Sequence, residues 1–174
     1  ANVNIIAIGF TIYIGSEFDN VQMEQAHRLI QDAHREGLLA VLWMSPRGSA
    51  VANEKSPHLI AGAAGVAACM GADFTQVNPP RPTDGSSSAE ALREAVLAAG
   101  KTGVICSGGG SLPPREFLQR LYDQVNISGA RGSATGRNIH QKTTEDGVRM
   151  CAACHAIICA GASVEAAMAI FEGD

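Results

Sequence analysis

Two glycine-rich turns, each set directly after a short apolar run, carry the residues with the clearest chemical meaning. In the first, Gly103-Val104-Ile105-Cys106 leads into Ser107-Gly108-Gly109-Gly110-Ser111; in the second, Ala130-Arg131-Gly132-Ser133-Ala134-Thr135 leads into Gly136-Arg137-Asn138. One helix-length segment separates them. Such turns on neighbouring parallel strands place backbone N–H groups, helix N-termini and a guanidinium around one point, and that combination holds a phosphate. The implied ligand is a phosphorylated small molecule.

To bring the turns together, the chain needs parallel strands joined by helices, and the hydrophobic pattern supplies them. Ile5 to Phe10 reads as a continuous apolar strand of the doubly covered type, with Thr11 to Ser16 leading out of it. Asp19 is the expected N-cap of a helix whose inner stripe is Val21, Ala26, Leu29, Ile30 and Ala33, with Gly37 ending it. Further strands are expected at Leu38–Trp43, Asp73–Asn78, Thr102–Cys106 and Ala130–Thr135. Helices are expected at His58–Met70, Ser88–Ala99, from Pro114 onward, Thr144–Ala160 and Val164–Phe171. The run Ser86-Ser87-Ser88 reads as loop and N-cap. Alternation of this kind implies right-handed crossovers and a parallel α/β sheet, either doubly wound or part of a barrel. Both place ligands beyond the carboxyl ends of the strands, where the polar residues collect.

Composition sets outer limits. With 174 residues, 46% apolar and 17% charged, the chain suits one domain with a sizeable core, assigned to 1–174. A net charge of −4 argues against a nucleic-acid surface. No apolar run reaches the length of a membrane span and no signal segment is visible, so a cytoplasmic location is expected. The five cysteines lie mostly in apolar helical stretches and are expected as buried free thiols.

Five strings together resemble a known family: Gly9-Phe10-Thr11-Ile12-Tyr13-Ile14-Gly15-Ser16, Trp43-Met44-Ser45-Pro46-Arg47-Gly48, Gly71-Ala72-Asp73, Ser107-Gly108-Gly109, and Gly136-Arg137-Asn138-Ile139-His140-Gln141. In order and spacing they are similar to the archaeal-type class I fructose-bisphosphate aldolases, whose superfamily includes aldolases for deoxyribose phosphate and phosphorylated autoinducers. The resemblance implies a (βα)8 TIM barrel in which this chain supplies the last five βα units, barrel strands four to eight. It implies a lyase acting on a phosphorylated ketose in glycolysis and gluconeogenesis, a homo-oligomer, and no cofactor. Members of that family begin with three further units, the first bearing an acidic active-site residue, so the chain is expected to be a fragment or to be completed from elsewhere.

The resemblance also assigns roles. Ser107, Gly108 and Gly109 would hold a phosphate through backbone amides, and Gly136 with Arg137 would complete the site. Arg47 would meet a second phosphate or sit as a surface arginine in a turn. Trp43 would stack on the substrate or serve as a core aromatic at the barrel top. The family's Schiff-base lysine falls at Gln76, whose amide forms no imine, and its proton-moving tyrosine falls at Ser45. Catalysis by this chain is thus open, with a non-catalytic phosphosugar-binding or assembly protein as the alternative. Lys55, Lys101 and Lys142 read as ordinary solvated lysines. Cys151-Ala152-Ala153-Cys154-His155 matches a haem-attachment pattern but sits in an apolar helical stretch, and no second cluster with zinc spacing accompanies it; neither haem nor metal is expected.

Overall fold

Five parallel strands form the sheet in the computed structural model, which describes residues 4–173. They are β1 (Ala7–Ile14), β2 (Leu39–Pro46), β3 (Phe74–Val77), β4 (Gly103–Ser107) and β5 (Gly132–Ala134). Between and after them run α1 (Asp19–Arg35), α2 (Pro57–Cys69), α3 (Ser88–Ala98), α4 (Pro114–Asn126), a short α5 (Arg137–His140), α6 (Thr144–Ala160) and α7 (Val164–Glu172). The domain span 1–174 includes residues 1–3 and 174, which lie outside the described residues.

Strand order follows chain order, β1-β2-β3-β4-β5, with every pair parallel. A doubly wound sheet reverses its order at a switch point, and none occurs here. Consecutive right-handed crossovers then set all the helices on one face, which is the construction of a barrel wall. The alternative left open by the sequence is thereby decided.

Alternation within the strands separates the two faces. In β2, Ala40, Leu42, Met44 and Pro46 are buried, while Leu39 and Trp43 are exposed on the opposite, concave face. The buried set joins Ile12, Val77, Val104 and Cys106 against Ala26 and Ile30 of α1 and the small residues Ala61, Ala64 and Ala67 of α2. A second core ties Phe117, Leu118 and Leu121 of α4 to Met150, Ala153 and Ile157 of α6 and Val164 and Ala167 of α7. On the concave face the Trp43 ring lies across Gly9, where an added Cβ would come within 1.7 Å of it. Only glycine fits beneath that indole.

Several boundaries differ from expectation. β1 begins at Ala7 and runs to Ile14, because β2 pairs with it all the way to Pro46; Ile5 and Ile6 precede it and are exposed. Asp19 does not cap α1 but lies in its first turn, where its carboxylate accepts the Gly15 N–H at 3.1 Å. Val21 is exposed, and Met23 packs against the core. β5 is only three residues long. The cysteines divide: Cys106 is buried and Cys154 half-buried, whereas Cys69, Cys151 and Cys159 are exposed. Helices rich in small apolar residues look alike on all sides, so sequence periodicity does not say which face turns inward. Ser87, with Glu90, forms a complete capping box on α3.

Asp73, just before β3, fastens the amino-terminal side of the sheet. Its carboxylate accepts the Ala40 N–H at 2.8 Å and meets His34 Nε2 at 2.9 Å. Partial burial pushes its pKa up, but the Ala40 N–H and His34 outweigh this and hold it below the usual carboxylate value. A depressed folded pKa stabilises the fold above the unfolded value of about 3.9, and the benefit disappears as pH falls through the folded pKa. Asp73→Asn is therefore expected to melt lower than the unaltered protein at pH 7, with the gap closing in acid; calorimetric melts from pH 7 to pH 2 check this.

Candidate functional site

At the carboxyl ends of β2 to β5 lies a cavity of about 490 Å³. That is the size of a small-ligand pocket. Both glycine turns wall it, through Ser107 to Gly110 after β4 and through Gly136 and Arg137 after β5. Arg47, Glu54 and Lys55 enter from the loop after β2, and Asn78 and Pro79 from the end of β3. Of the nine residues singled out from the sequence, six line this cavity: Arg47, Ser107, Gly108, Gly109, Gly136 and Arg137. Gln76, Trp43 and Ser45 do not.

The turns are built by one side chain that carried no role in the sequence reading. Asn138, 1% exposed, accepts the Leu112 N–H at 2.8 Å on Oδ1, while Nδ2 donates to the carbonyls of Gly110 at 2.9 Å and Gly108 at 3.2 Å. An amide is the only uncharged side-chain group that donates and accepts in this fashion. The available signal was its place directly after Gly136-Arg137, opposite a glycine turn full of unpaired carbonyls.

One of the expected phosphate-binding amides is already engaged within the sheet. The Gly108 N–H already donates to Ala134 O at 2.9 Å, so it is spent on closing the β4–β5 ladder. The N–H groups of Gly109, Gly110, Gly136 and Arg137 donate to no other protein group among the described residues. Gly109 has φ +66°, a left-handed conformation that suits glycine. Ser107 Oγ donates to Asn78 Oδ1 at 3.0 Å and ties the ends of β3 and β4 together.

Charge in the cavity is mixed but net positive. Arg47 grips Glu54 through Nε at 3.0 Å and Nη2 at 3.1 Å, and this exposed pair raises the guanidinium pKa. Its guanidinium also stands 5.9 Å from the centre of the Tyr13 ring. Arg137 and Lys55 have no ion-pair partner among the described residues. A phosphate entering the cavity meets these two cations free, whereas Arg47 must be shared with or released by Glu54. Lys55 is also the one lysine of three to reach the cavity. Lys101 lines a groove at the amino-terminal ends of the strands with Arg131, and Lys142 stands 5.4 Å from the Phe171 ring.

Below the cavity, on the concave face, register brings the remaining candidates into rows. Thr11, Trp43, Gln76, Ile105 and Gly132 are successive partners across the sheet. Gln76 Nε2 donates only to the neighbouring Val77 carbonyl, at 3.3 Å. Ser45 pairs with Tyr13 in the row above. Tyr13 thus puts a phenol beside Ser45, a proximity set by strand register and invisible to motif spacing.

The thiols are no part of this arrangement. Burial pushes Cys106 up to about 12, which keeps it a neutral packing group. Cys151, Cys154 and His155 lie on the unbroken helix α6, where they line a shallow groove with Ser133 and Thr135 of the β5 segment. Burial likewise raises Cys154, to about 11.

A barrel wall with a cation-lined pocket at its carboxyl edge defines the class: a (βα)-barrel protein. The pattern of the DeoC/LacD family aldolases matches residues 5–142, and the chain belongs to that family. It is 53% identical over all 174 residues to a fructose-bisphosphate aldolase/6-deoxy-5-ketofructose 1-phosphate synthase of Methanocaldococcus jannaschii, of which it covers 55%. Among solved structures it superposes on 54% of the fructose-bisphosphate aldolase of Slackia heliotrinireducens over 98% of its own length, with a TM-score of 0.95 at 50% identity. An archaeal fructose-1,6-bisphosphate aldolase whose catalytic lysine holds a carbinolamine intermediate matches 87% of this chain and 57% of that one, with a TM-score of 0.75 at 32% identity. The chain spans about half the length of the relatives it matches. Its fold is a set of consecutive βα units of the aldolase TIM barrel. Among the described residues no helix is long and apolar enough to cross a membrane.

Proposed function

We propose that residues 1–174 form the carboxyl-terminal five units of one aldolase-type barrel domain and supply the phosphate-binding part of its active site. The substrate is a phosphorylated ketose, with fructose 1,6-bisphosphate first, and the reaction is reversible carbon–carbon cleavage. One observation carries this reading: the unpaired amides of Gly109, Gly110 and Gly136 share a single cavity with the free cations Arg137 and Lys55. Arg137 binds the phosphate in bidentate fashion, and Arg47, exchanged from Glu54, meets the distal phosphate. Trp43 and Gln76 stand beneath the carbon chain. The names of the relatives support the sugar bisphosphate; a role in glycolysis and gluconeogenesis and a cytoplasmic homo-oligomer extend the proposal beyond them.

Gln76 favours a second function, phosphosugar binding without cleavage. A carboxamide nitrogen is not nucleophilic and gives no imine. Two measurements separate the functions. Calorimetry with fructose 1,6-bisphosphate is expected to show binding that weakens with salt and falls roughly tenfold to a hundredfold in Arg137→Ala. Borohydride reduction in the presence of dihydroxyacetone phosphate then decides the chemistry. An adduct on Lys55, the lysine that lines the cavity, supports cleavage through an imine on this chain; binding with no adduct supports the second function. Absence of binding rejects both.

A further inference from the structure

Behind the first glycine turn, on the side away from the ligand cavity, stands Arg120 of α4. It is a half-buried cation with no carboxylate partner within ion-pair distance among the described residues. Its Nη2 donates to the Gly108 carbonyl, and its guanidinium lies so close under the turn that a Cβ at Gly109 would come within 3.3 Å of it. The Phe117 ring, 5.7 Å away, flanks its other side. Arg120 does not line the ligand cavity; it lines an outer groove of about 610 Å³ between α3 and α4.

Resting on the phosphate site proposed above, we infer that Arg120 is a positioning residue: by holding the Gly108 carbonyl from behind, it aims the Gly109 N–H at the phosphate. The geometry follows from the peptide bond. In a trans peptide the C=O of one residue and the N–H of the next point in opposite directions, and the chain has no cis peptide among the described residues. A carbonyl drawn toward Arg120 turns the Gly109 amide into the cavity. Asn138 occupies the second lone pair of the same carbonyl, so the peptide is held by two donors. The guanidinium adds a positive charge behind the amides, in a partly desolvated place where it attracts an anion more strongly than a surface cation does. Burial works against the charge and lowers the Arg120 pKa, yet an arginine stays protonated at neutral pH.

The sequence carries a trace of this. Arg120 sits beside the apolar stripe Phe117, Leu118 and Leu121, where a charged residue needs a reason for being.

The test is phosphate affinity, measured by calorimetry with inorganic phosphate and with fructose 1,6-bisphosphate, in the unaltered protein, R120M, R120K and R120A. R120M keeps bulk and loses charge and donors; it is expected to bind both anions about tenfold to a hundredfold more weakly. R120K restores charge without the fork and is expected in between. In R120A, millimolar guanidinium entering from the outer groove is expected to recover several-fold of the lost affinity, which a purely structural arginine would not give. Melting curves identify any variant that fails to fold, and R120K then carries the comparison. Binding by R120M or R120K equal to that of the unaltered protein overturns the role of Arg120 while leaving the phosphate site intact. Failure of the unaltered protein to bind either anion overturns the site, and the inference with it.

Discussion

Gln76→Lys, incubated with dihydroxyacetone phosphate and reduced with borohydride, is expected to gain the mass of one reduced adduct at position 76, a place where the carboxamide of the unaltered protein forms none. Position 76 faces the concave side two residues before Asn78, which walls the cavity at the carboxyl edge. Two residues of strand span about 7 Å, and a lysine side chain reaches that far upward. Its neighbours in register are Trp43 and Ile105, so the ammonium form would be poorly solvated, and the free cations Arg137 and Lys55 lie in the cavity above. Desolvation and like charge both disfavour protonation, so the introduced amine is expected to titrate below the ordinary lysine value of about 10.4. Adduct yield should rise through that lowered pKa and level off above it. The change from none to a stoichiometric adduct is the largest chemical effect any single substitution here should produce. Binding of the phosphosugar by Gln76→Lys without any adduct would show that position 76 does not face the ketone carbon.

Legibility in the sequence followed the physics of each element. The βα alternation was readable because the runs Ile5–Phe10, Leu38–Trp43 and Gly103–Cys106 are apolar and give way to glycine, proline or polar residues. The edges of β1 were not, since pairing with β2 as far as Pro46 decides where it ends, and pairing is a long-range property. Barrel and doubly wound sheet became distinguishable only from strand order, which no local pattern encodes. In the site, Arg137 and the glycines were legible as motifs. Asn138 and Arg120 were not, because each acts on a backbone carbonyl many residues away. The spent amide of Gly108 was hidden for the same reason: its acceptor, Ala134, lies on the neighbouring strand.

Asn138 sets the other large effect, on the fold of the site itself. Truncation to alanine takes the partner from the half-buried Leu112 N–H and from the Gly110 carbonyl, and leaves Gly108 to Arg120 alone. Three hydrogen bonds from a buried amide are lost, each contributing about 0.5–1.5 kcal/mol, so Asn138→Ala is expected to lose about 2–4 kcal/mol of stability. For a chain of this length that lowers Tm by roughly 5–15 °C. Phosphate affinity should fall with it, because both turns lose their common fastening. Asn138→Asp separates hydrogen bonding from bulk. It keeps an acceptor for Leu112 but turns an anionic oxygen on two carbonyls, so the folded pKa of the introduced acid must lie above the unfolded value of about 3.9. Below that value the acid is protonated in both states and can donate; as pH rises through it, the unfolded state alone ionises and stability is lost until the folded pKa is passed. Asn138→Asp should therefore be closest to the unaltered protein in acid and progressively worse toward neutrality, the opposite trend to that expected for the native Asp73. Thermal melts of both variants across pH 3 to pH 8 test the assignment. An Asn138→Asp protein whose deficit stays constant across that range would mean that the Gly108 and Gly110 carbonyls do not depend on the side chain at position 138.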